Sequence, residues 1–550
     1  MNSKINILSR REFLARNTQL AAVAALSALT DIPTVMQRAM AEGSIGQPGP
    51  SGRPRKVLFI FLRGANDGLN ALIPVSDPAY LASRDTIGIR NNPDSAWNYN
   101  SPGSALWTPS GANATFGEFA LPMGNGFAGL HPALKFLVPV YNAGNLAMIH
   151  RVGYPKQSQS HFDSQNYWET GIPGDMTAKE GLLYRAMVES GLAGSAPLSA
   201  VSFQNSLPLI LRGSRAALTN VPDPTRYGLL GIPDSVAGAE KAKQFLELAN
   251  KMELAPKRDR ELLRLQYDNL SQTLGIFKQI DFTESANTFR DNEITDEDTQ
   301  WASENGDQGY YLFPTTNAKN GGWARKAGNR AEKYIVPTGA YGFFNNLKSA
   351  ALILNKTDAV VAGTQIDGWD THSSQGAATG SHSNLLKQVG WAMYALQKYF
   401  SRYSEKCHWE DLTIVTLSEF GRTSKENDND GTDHAEASVM WVTGGGIKGF
   451  KAGDLGTVSR SGVLNCGPSD PIPWQTGLTG SMFQGGDKRY LLRATDYRSV
   501  LGKVIRDHLG ATQDQLNRII PGYANESKER LLAGGTQSTD GKKVTGEPDI

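Results

Sequence analysis

Two strand-like apolar runs, with a polar segment between them, most constrain how this chain folds. The first run, Leu412–Leu417, is rich in β-branched residues and ends directly in charged residues, as expected of a strand covered on both faces. The second run, Val439–Thr443, ends in three glycines. In an open α/β sheet, the loops at the carboxyl ends of strands build the binding site. We therefore expect the functional residues between these two runs.

The polar segment contains Glu419, Arg422, Asp433 and His434. Asp433 and His434 offer a divalent metal one carboxylate oxygen and one imidazole nitrogen. Adjacent Asp and His residues are also common in turns and as hydrogen-bonded caps. The pair alone leaves both interpretations open.

Polar residues follow two further strand-like runs in the same way. Lys56–Leu62 leads into a Gly-rich turn that contains Asp67, although an isolated Asp before Gly also fits a helix N-cap. Ala359–Gln365 runs into Asp370 and His372. Because the carboxyl ends of parallel strands meet at one edge of a sheet, we expect these polar residues to converge. The convergence predicts either a metal site or a polar loop network without metal. The candidate ligands are Asp67, Asp370, His372, Asp433 and His434.

A fourth strand, Asn145–His150, leads to Ser160 at the start of a helical run, Phe162–Glu169. A serine at this position can cap the helix through the unpaired backbone N–H groups of the first turn. The same N–H groups would stabilise an anion if Ser160 were a nucleophile. The pattern does not decide between the two roles.

The order of these elements predicts an α/β fold, a doubly wound and largely parallel sheet with helices on both faces. We expect the α/β domain to span residues 56–515, with a helical and loop insertion or cap at about 236–337. Residues 42–55 are predicted to be a flexible leader and residues 516–550 a C-terminal tail.

The N-terminus has the pattern of a twin-arginine signal peptide over residues 1–41. Arg10 and Arg11 precede a modest apolar run, Leu20–Leu29, which is shorter than the roughly 20 residues that a membrane span needs. An amphipathic N-terminal helix is the alternative. The pattern favours export by the twin-arginine pathway to the periplasm or the exterior, without a permanent membrane anchor.

The charge balance and the cysteine content exclude some classes of protein. With 55 basic and 54 acidic residues the formal net charge is +1, so the chain lacks the basic field that gathers nucleic acid. Cys407 and Cys466 are too few for a disulfide framework, and either one bridge or two free thiols fits.

Six motifs, taken together and in order, resemble the exported family known as domain of unknown function 1501. They are RGANDGLN at Arg63–Asn70, LHP at Leu130–Pro132, SHFDSQ at Ser160–Gln165, GWDTH at Gly368–His372, LSEFGRT at Leu417–Thr423 and GTDH at Gly431–His434. The resemblance implies the fold of the alkaline phosphatase and sulfatase superfamily. It also implies one or two divalent metals, as zinc, manganese, calcium or magnesium, and the hydrolysis of phosphate or sulfate esters.

By this resemblance, Asp67, Asp433 and His434 would hold one metal beside the nucleophile Ser160. Asp370 and His372 would form part of a second metal site. Arg63 and Arg422 could then hold anionic oxygens of the substrate, and Glu419 would be an acid behind the ligands. The substrate would be a small anionic ester or an envelope polymer.

The residues after His434 depart from the family pattern, because Ala435-Glu436-Ala437-Ser438 stands where many relatives have Gly and another His nearby. Glu436 could replace the missing imidazole as an oxygen ligand, or the second site could be degenerate. Cys466–Asp470 imitates the sulfatase cysteine motif but lacks its Arg, which excludes a formylglycine sulfatase. Two functions fit the sequence, a metal-dependent ester hydrolase and a non-catalytic envelope or secreted binding protein on the same fold.

Overall fold

The fold was analysed in a computed structural model. It describes residues 45, 48–91, 119–123, 125–192, 198–216, 218–224, 227, 237–251, 270–282, 290–291, 310–314, 338–449, 462–476, 483–484, 489–523, 531–537 and 540–550. The predicted signal peptide, including Arg10 and Arg11, lies outside these residues, as does most of the predicted insertion.

An 11-stranded sheet forms the centre of the molecule. Its strands in chain order are β1 (Lys56–Arg63), β2 (Leu146–Gly153), β3 (Ala200–Ser202), β4 (Thr219–Asn220), β5 (Val361–Asp367), β6 (Leu412–Ser418), β7 (Ser438–Gly444), β8 (Val463–Leu464), β9 (Thr495–Asp496), β10 (Gly535–Gln537) and β11 (Lys543–Thr545). Their order across the sheet is β10-β11-β9-β2-β7-β6-β1-β5-β3-β4, and β8 also pairs with β2. The sheet is mostly parallel, and β7 runs antiparallel to both of its neighbours.

The central strand β1 is apolar on both faces because both faces of the sheet are covered. Leu58, Ile60 and Leu62 pack into one hydrophobic core, whereas Val57, Phe59 and Phe61 pack into a second core on the other side. On the neighbouring strand β5, an added Cβ on Gly363 would lie 1.9 Å from the Phe59 ring, so the glycine makes room for this side chain. The uninterrupted apolar run in the sequence therefore corresponds to a strand between two helical layers.

The main helices are α1 (Leu137–Asn142), α2 (His161–Thr170), α3 (Leu182–Glu189), α4 (Ala239–Lys251), α5 (Tyr341–Lys356), α6 (Ser381–Arg402), α7 (Tyr497–Lys503) and α8 (Gln513–Ile519). Helices α1, α5 and α6 contribute to the first core, and α2, α3, α7 and α8 contribute to the second. This arrangement agrees with the predicted doubly wound α/β class. Among the helices that the structure describes, none combines the length and the apolar character that a membrane span requires.

The C-terminal region corrects one predicted boundary. Strands β10 and β11 extend the main sheet beyond β9, so the part of residues 516–550 that is described belongs to the α/β domain and is not a separate tail. The leader also contacts the domain, since Ser51 donates its backbone N–H to Asp411 at 3.2 Å. The described parts of the 236–337 segment supply core residues, among them Phe277 and Leu312. Cys407 and Cys466 are buried free thiols.

Candidate metal centre

One edge of the sheet collects the polar residues that the sequence singled out. Strands β1, β5 and β6 are parallel, so their carboxyl ends lie together at this edge. Asp433 and His434 reach the same edge from the opposite direction, because they precede the antiparallel strand β7. The loop after β2 brings in the start of α2, which is His161. Four loops and one helix terminus therefore surround a common point.

Glu419 anchors the loop that follows β1. Its buried carboxylate accepts the backbone N–H groups of Gly64 at 2.8 Å and Ala65 at 2.9 Å, and the amide of Gln165 at 2.7 Å. Gly64 (φ 115°) and Ala65 (φ 69°) adopt left-handed backbone conformations, which aim both N–H groups at the carboxylate. A Cβ on Gly64 would also approach the backbone N of Asp370 to 2.5 Å, so only glycine fits there. The predicted role of Glu419, an acid behind the ligands, agrees with this position.

Arg422 connects three loops through hydrogen bonds. Its buried guanidinium donates to the backbone carbonyls of Ala65 at 2.9 Å and Thr432 at 3.0 Å, and to the carbonyl of Gly64. It also donates to Asp370 Oδ1 at 2.5 Å. These contacts occupy its donors, so the prediction that Arg422 holds substrate oxygens is corrected to a structural role.

Three imidazoles and one carboxylate converge at the centre of this edge. Asp370 Oδ1 lies 3.1 Å from His372 Nε2 and 3.4 Å from both His161 Nε2 and His434 Nε2. His434 Nε2 in turn lies 2.9 Å from His372 Nε2 and 3.1 Å from His161 Nε2. We call these four residues the histidine cluster. Its side chains are between 23% and 46% exposed, so small molecules can reach it.

The second ring nitrogen of each histidine faces an acceptor. His434 Nδ1 lies 2.8 Å from the carbonyl of Gln159, and His372 Nδ1 lies 3.1 Å from Asp433 Oδ1. His161 Nδ1 faces Glu419 Oε1 at 3.7 Å, which is longer than a hydrogen bond. Since a carbonyl or a carboxylate can only accept, Nδ1 carries the proton in His434 and His372. Their Nε2 lone pairs therefore point at each other when the rings are neutral.

Hydrogen bonds alone cannot account for all the short contacts between these ring nitrogens. The single lone pair of His434 Nε2 can accept one donor, so a proton on His161 or on His372 satisfies one of its two short contacts and leaves the other. A cation between the nitrogens would satisfy all of them. Zn²⁺ with bonds of about 2.0–2.1 Å places tetrahedral ligand atoms about 3.3–3.4 Å apart, close to the observed separations of 2.9–3.4 Å. His161, Asp370 and His434 could thus hold such an ion, and His372 Nε2 lies next to two of these three ligands.

The surroundings of the cluster shift the pKa values of three of its members. Partial burial opposes ionisation of Asp370, but the hydrogen bond and charge of Arg422 outweigh it and lower the pKa of this carboxyl to about 2. Partial burial lowers the pKa of His434, which favours the neutral ring. Glu419, as the nearest acceptor and a negative charge, raises the pKa of His161. The Asp370 carboxyl is therefore ionised at neutral pH, and the shift at His434 favours a ring that can act as a ligand.

Asp67 does not reach the histidine cluster, which corrects its predicted role as a ligand. Its fully buried carboxylate pairs with Arg84 at 2.6 Å and 3.1 Å and accepts the Gln375 amide at 2.6 Å. Burial alone would raise its pKa, but Arg84 outweighs burial and lowers it. Asp67 also caps the short helix Gly68–Ala71, as the alternative interpretation predicted. Both oxygens of this fully buried carboxylate therefore accept hydrogen bonds from these partners, whereas Asp370 is about half exposed.

Glu436 is also turned away from the cluster. It pairs with Arg493 at 3.0 Å and with Lys542. The prediction that it replaces a missing imidazole is therefore corrected. Within the described residues, the metal-type side chains form a single cluster and not the two sites implied by the family resemblance.

Arg63 and Ser160 have local partners of their own. Arg63 forms an ion pair with Glu169 at 2.7 Å and donates to Gln365, so it is not free to bind an anion as predicted. Ser160 caps α2, with its Oγ 3.4 Å from the backbone N of Asp163, and its side chain is exposed. The cap does not exclude a nucleophilic role, which stays a prediction.

His161 is the functional residue that the sequence interpretation missed. It lies in the SHFDSQ motif directly after Ser160, at the end of a strand-loop unit like the other ligands. The aromatic ring of Phe420 packs against His161 and His434 at centroid distances of 4.8 Å and 4.7 Å. A histidine at the start of a helix that follows a buried strand was the available signal.

Residues 236–465 match the model of a family described as "Protein of unknown function (DUF1501)". This match supports the resemblance to that family and includes every member of the histidine cluster except His161. No curated protein matches the chain.

Proposed function

We propose that this chain is an exported, metal-dependent hydrolase of phosphate or sulfate esters. The observation that carries the proposal is the convergence of three imidazole Nε2 atoms on Asp370 Oδ1, with an acceptor behind each ring. Histidines whose second nitrogen contacts a carboxylate or a carbonyl are typical of metal ligands in proteins. The superfamily assignment and the export route belong to the same proposal.

The ligand set favours zinc among the four metals that the resemblance implies. Three imidazoles and one carboxylate suit zinc, whereas calcium and magnesium prefer oxygen ligands. His161, His372, His434 and Asp370 would hold the ion, while Glu419, Asp433 and the carbonyl of Gln159 orient the rings. A metal bound here would supply Lewis acidity and lower the pKa of a bound hydroxyl or water.

Ser160 is the proposed nucleophile of the reaction. It is exposed, it directly precedes His161, and it lies at the N-terminus of the ten-residue helix α2. The partial positive charge of a helix N-terminus stabilises an adjacent anion such as an alkoxide. These features support a nucleophilic role for Ser160, because the residue precedes a member of the cluster and a helix N-terminus favours an ionised hydroxyl.

A second candidate is a non-catalytic binding protein on the same fold. It is favoured by the partners of Arg63 and Arg422, because the two arginines expected to hold anionic oxygens are engaged by the protein itself. The binding protein would retain the metal but hydrolyse no ester. Measured turnover therefore separates the two candidates.

The test combines metal analysis with a panel of phosphate and sulfate esters. Purified protein should contain about one equivalent of zinc, and chelation should lower its melting temperature, because bound metal stabilises only the folded state. His434→Ala should lose metal and turnover. Ser160→Ala should keep metal and lose turnover by several orders of magnitude. His408→Asn, which replaces a capping histidine outside the cluster with another capping residue, serves as the control.

Zinc below about a tenth of an equivalent, with no response to chelator, would exclude the metal. Metal without turnover on any ester would favour the binding protein.

For the export route, Lys replacements of Arg10 and Arg11 should retain the protein in the cytoplasm on cell fractionation.

A further inference from the structure

A cavity of about 230 Å³ lies beside the histidine cluster. Its wall includes Lys156, Gln157 and Gln159 from the loop after β2, Glu436 before β7, and Tyr490 and Lys542 from the C-terminal region. The same loop carries Ser160 and His161, and the carbonyl of Gln159 contacts His434 Nδ1 at 2.8 Å. A group in the cavity would therefore lie next to an ester at the cluster.

The acidic residues of the cavity wall are already neutralised. Glu436 and Asp540 pair with Arg493, which is completely buried, and Lys542 also pairs with Glu436. Two carboxylates thus meet two cations, and these four charges cancel. The polar atoms that remain for a ligand come from the other wall residues.

Lys156 adds a positive charge that this network does not cancel. Its side chain is exposed, and no carboxylate pairs with it among the residues that the structure describes. Its backbone is in the left-handed region, with φ 54°, which is rare for a residue with a long side chain. Strained backbone of this kind is concentrated at binding and catalytic sites. Lys156 therefore contributes an exposed, positively charged side chain to the cavity wall from a backbone conformation that has a conformational cost.

Gln157 provides an acceptor beside this charge. Its amide nitrogen donates to the carbonyl of Ala435 at 3.1 Å, while its buried Oε1 has no partner. A buried acceptor without a donor is costly unless a ligand or water supplies one. Tyr490 adds a hydroxyl and an aromatic face to the same wall. The ligand should therefore combine hydroxyl donors with one negative charge.

We propose that the cavity binds the hydroxylated, negatively charged part of the substrate, as in an acidic sugar. The cavity is smaller than the roughly 300–1,000 Å³ of sites for drug-sized ligands, so it has room for one ring-sized group. The anion would contact Lys156, and a rotation of the Gln157 amide would expose its buried Oε1 to a hydroxyl of the ligand. This inference rests on the proposed function, because that function places the ester next to the cavity.

The experiment is a ligand-observed NMR titration of the purified full-length protein with glucuronate, glucose and acetate, in metal-loaded and metal-free forms. Glucuronate should bind both forms at least about tenfold more tightly than glucose or acetate. Lys156→Ala should weaken glucuronate binding about two- to fivefold, since the ammonium is exposed and screened by solvent. Lys156→Arg should restore it. Lys179→Ala, at an exposed lysine that is not in the cavity wall, is the matched control.

Three results would overturn the inference. One is equal affinity for glucuronate and acetate, which would leave only a non-specific charge. Another is binding that requires the metal, which would place the carboxylate at the histidine cluster. The third is an unchanged affinity in Lys156→Ala. Because the titration does not measure turnover, glucuronate binding by an inactive protein would refute only the hydrolase, and hydrolysis without glucuronate binding would refute only this inference.

Discussion

At the scale of single residues, the charged side chains near the histidine cluster have distinct roles according to their partners. Asp370 is about half exposed and points at three imidazoles, whereas Asp67 is fully buried against Arg84. Gln375 connects Asp67 to the loops of the cluster, because its Oε1 accepts the hydroxyls of Thr371 and Thr432. Asp67 therefore supports the ligand loops without being a ligand.

This distinction predicts different outcomes for two similar substitutions. Asp67→Asn should lower the free energy of unfolding by about 3–5 kcal/mol, because it leaves Arg84 buried without its counter-ion. Its zinc content should stay near that of the unchanged protein. Asp370→Asn should reduce zinc affinity, with a smaller effect on stability. Urea unfolding and metal analysis of both variants provide the measurements, and loss of zinc in folded Asp67→Asn would contradict this assignment.

At the scale of elements, helix α2 and the loop after β1 are held in place by the same carboxylate. Glu419 accepts two backbone N–H groups of the loop and the Gln165 amide of α2, and it faces His161 at the start of that helix. Burial would raise the pKa of Glu419, but the nearby His161 ring, the backbone N–H of Gly64 and the Gln165 amide lower it. The orientation of His161 is therefore coupled to the conformation of the loop.

Glu419→Gln tests this coupling. A glutamine presents one amide group that donates, so it cannot accept from all the donors around Glu419. We expect a loss of about 1–3 kcal/mol in the free energy of unfolding and of about 10–100-fold in zinc affinity. Glu426→Gln is the matched control, because Glu426 accepts the backbone N–H groups of Thr86 and Ile87 away from the ligand rings. An equal loss of zinc affinity in both variants would show that the effect is not specific to His161.

At the scale of the whole molecule, three fully buried histidines outside the cluster make the fold sensitive to acid. Burial lowers the pKa of His131 and of His150 to about 3, and that of His382 to about 4. His131 shows the cause, since its Nδ1 accepts the N–H of Ala133 and its Nε2 donates to the carbonyl of Ala377. A proton on Nδ1 would remove the first hydrogen bond.

These shifts predict that stability falls as the pH falls from about 6.5 to about 4. The unfolded chain protonates each histidine near pH 6.5, whereas the folded chain does so only near pH 3–4, so protons favour the unfolded state within this window. Each histidine contributes a slope of up to about 1.4 kcal/mol per pH unit. Urea unfolding at pH 7, 6 and 5 measures the slope. His131→Asn keeps a capping acceptor and should lower the number of protons taken up on unfolding by up to one. Constant stability across this range would contradict the prediction.

Local sequence patterns were sufficient to predict the five long strands, β1, β2, β5, β6 and β7, and the sheet edge at which the polar residues lie. The apolar runs of β1 and β6 identified strands buried on both faces, and the polar residues that follow such strands have to lie at a sheet edge. Asp370, His372 and His434 were found for this reason, because their positions depend mainly on where a strand begins or ends. The same reasoning missed His161, whose place at the cluster depends on how α2 packs against the neighbouring loops.

The pairing of charges was decided only by the tertiary structure. Asp67 meets Arg84, and Glu436 meets Arg493 and Lys542, which are far from it in the chain. Asp370 is about half exposed and lies beside three imidazoles although it pairs with Arg422, whereas Asp67 is fully buried, and this difference depends on distances that folding creates. The antiparallel direction of β7 and the addition of β10 and β11 to the sheet are also non-local, because the alternation of side chains along a strand does not encode its partner or its direction. The sequence by itself therefore determined that most of these polar residues lie at one edge of the sheet, whereas the tertiary structure brought His161 to that edge and decided which carboxylate lies beside the imidazoles.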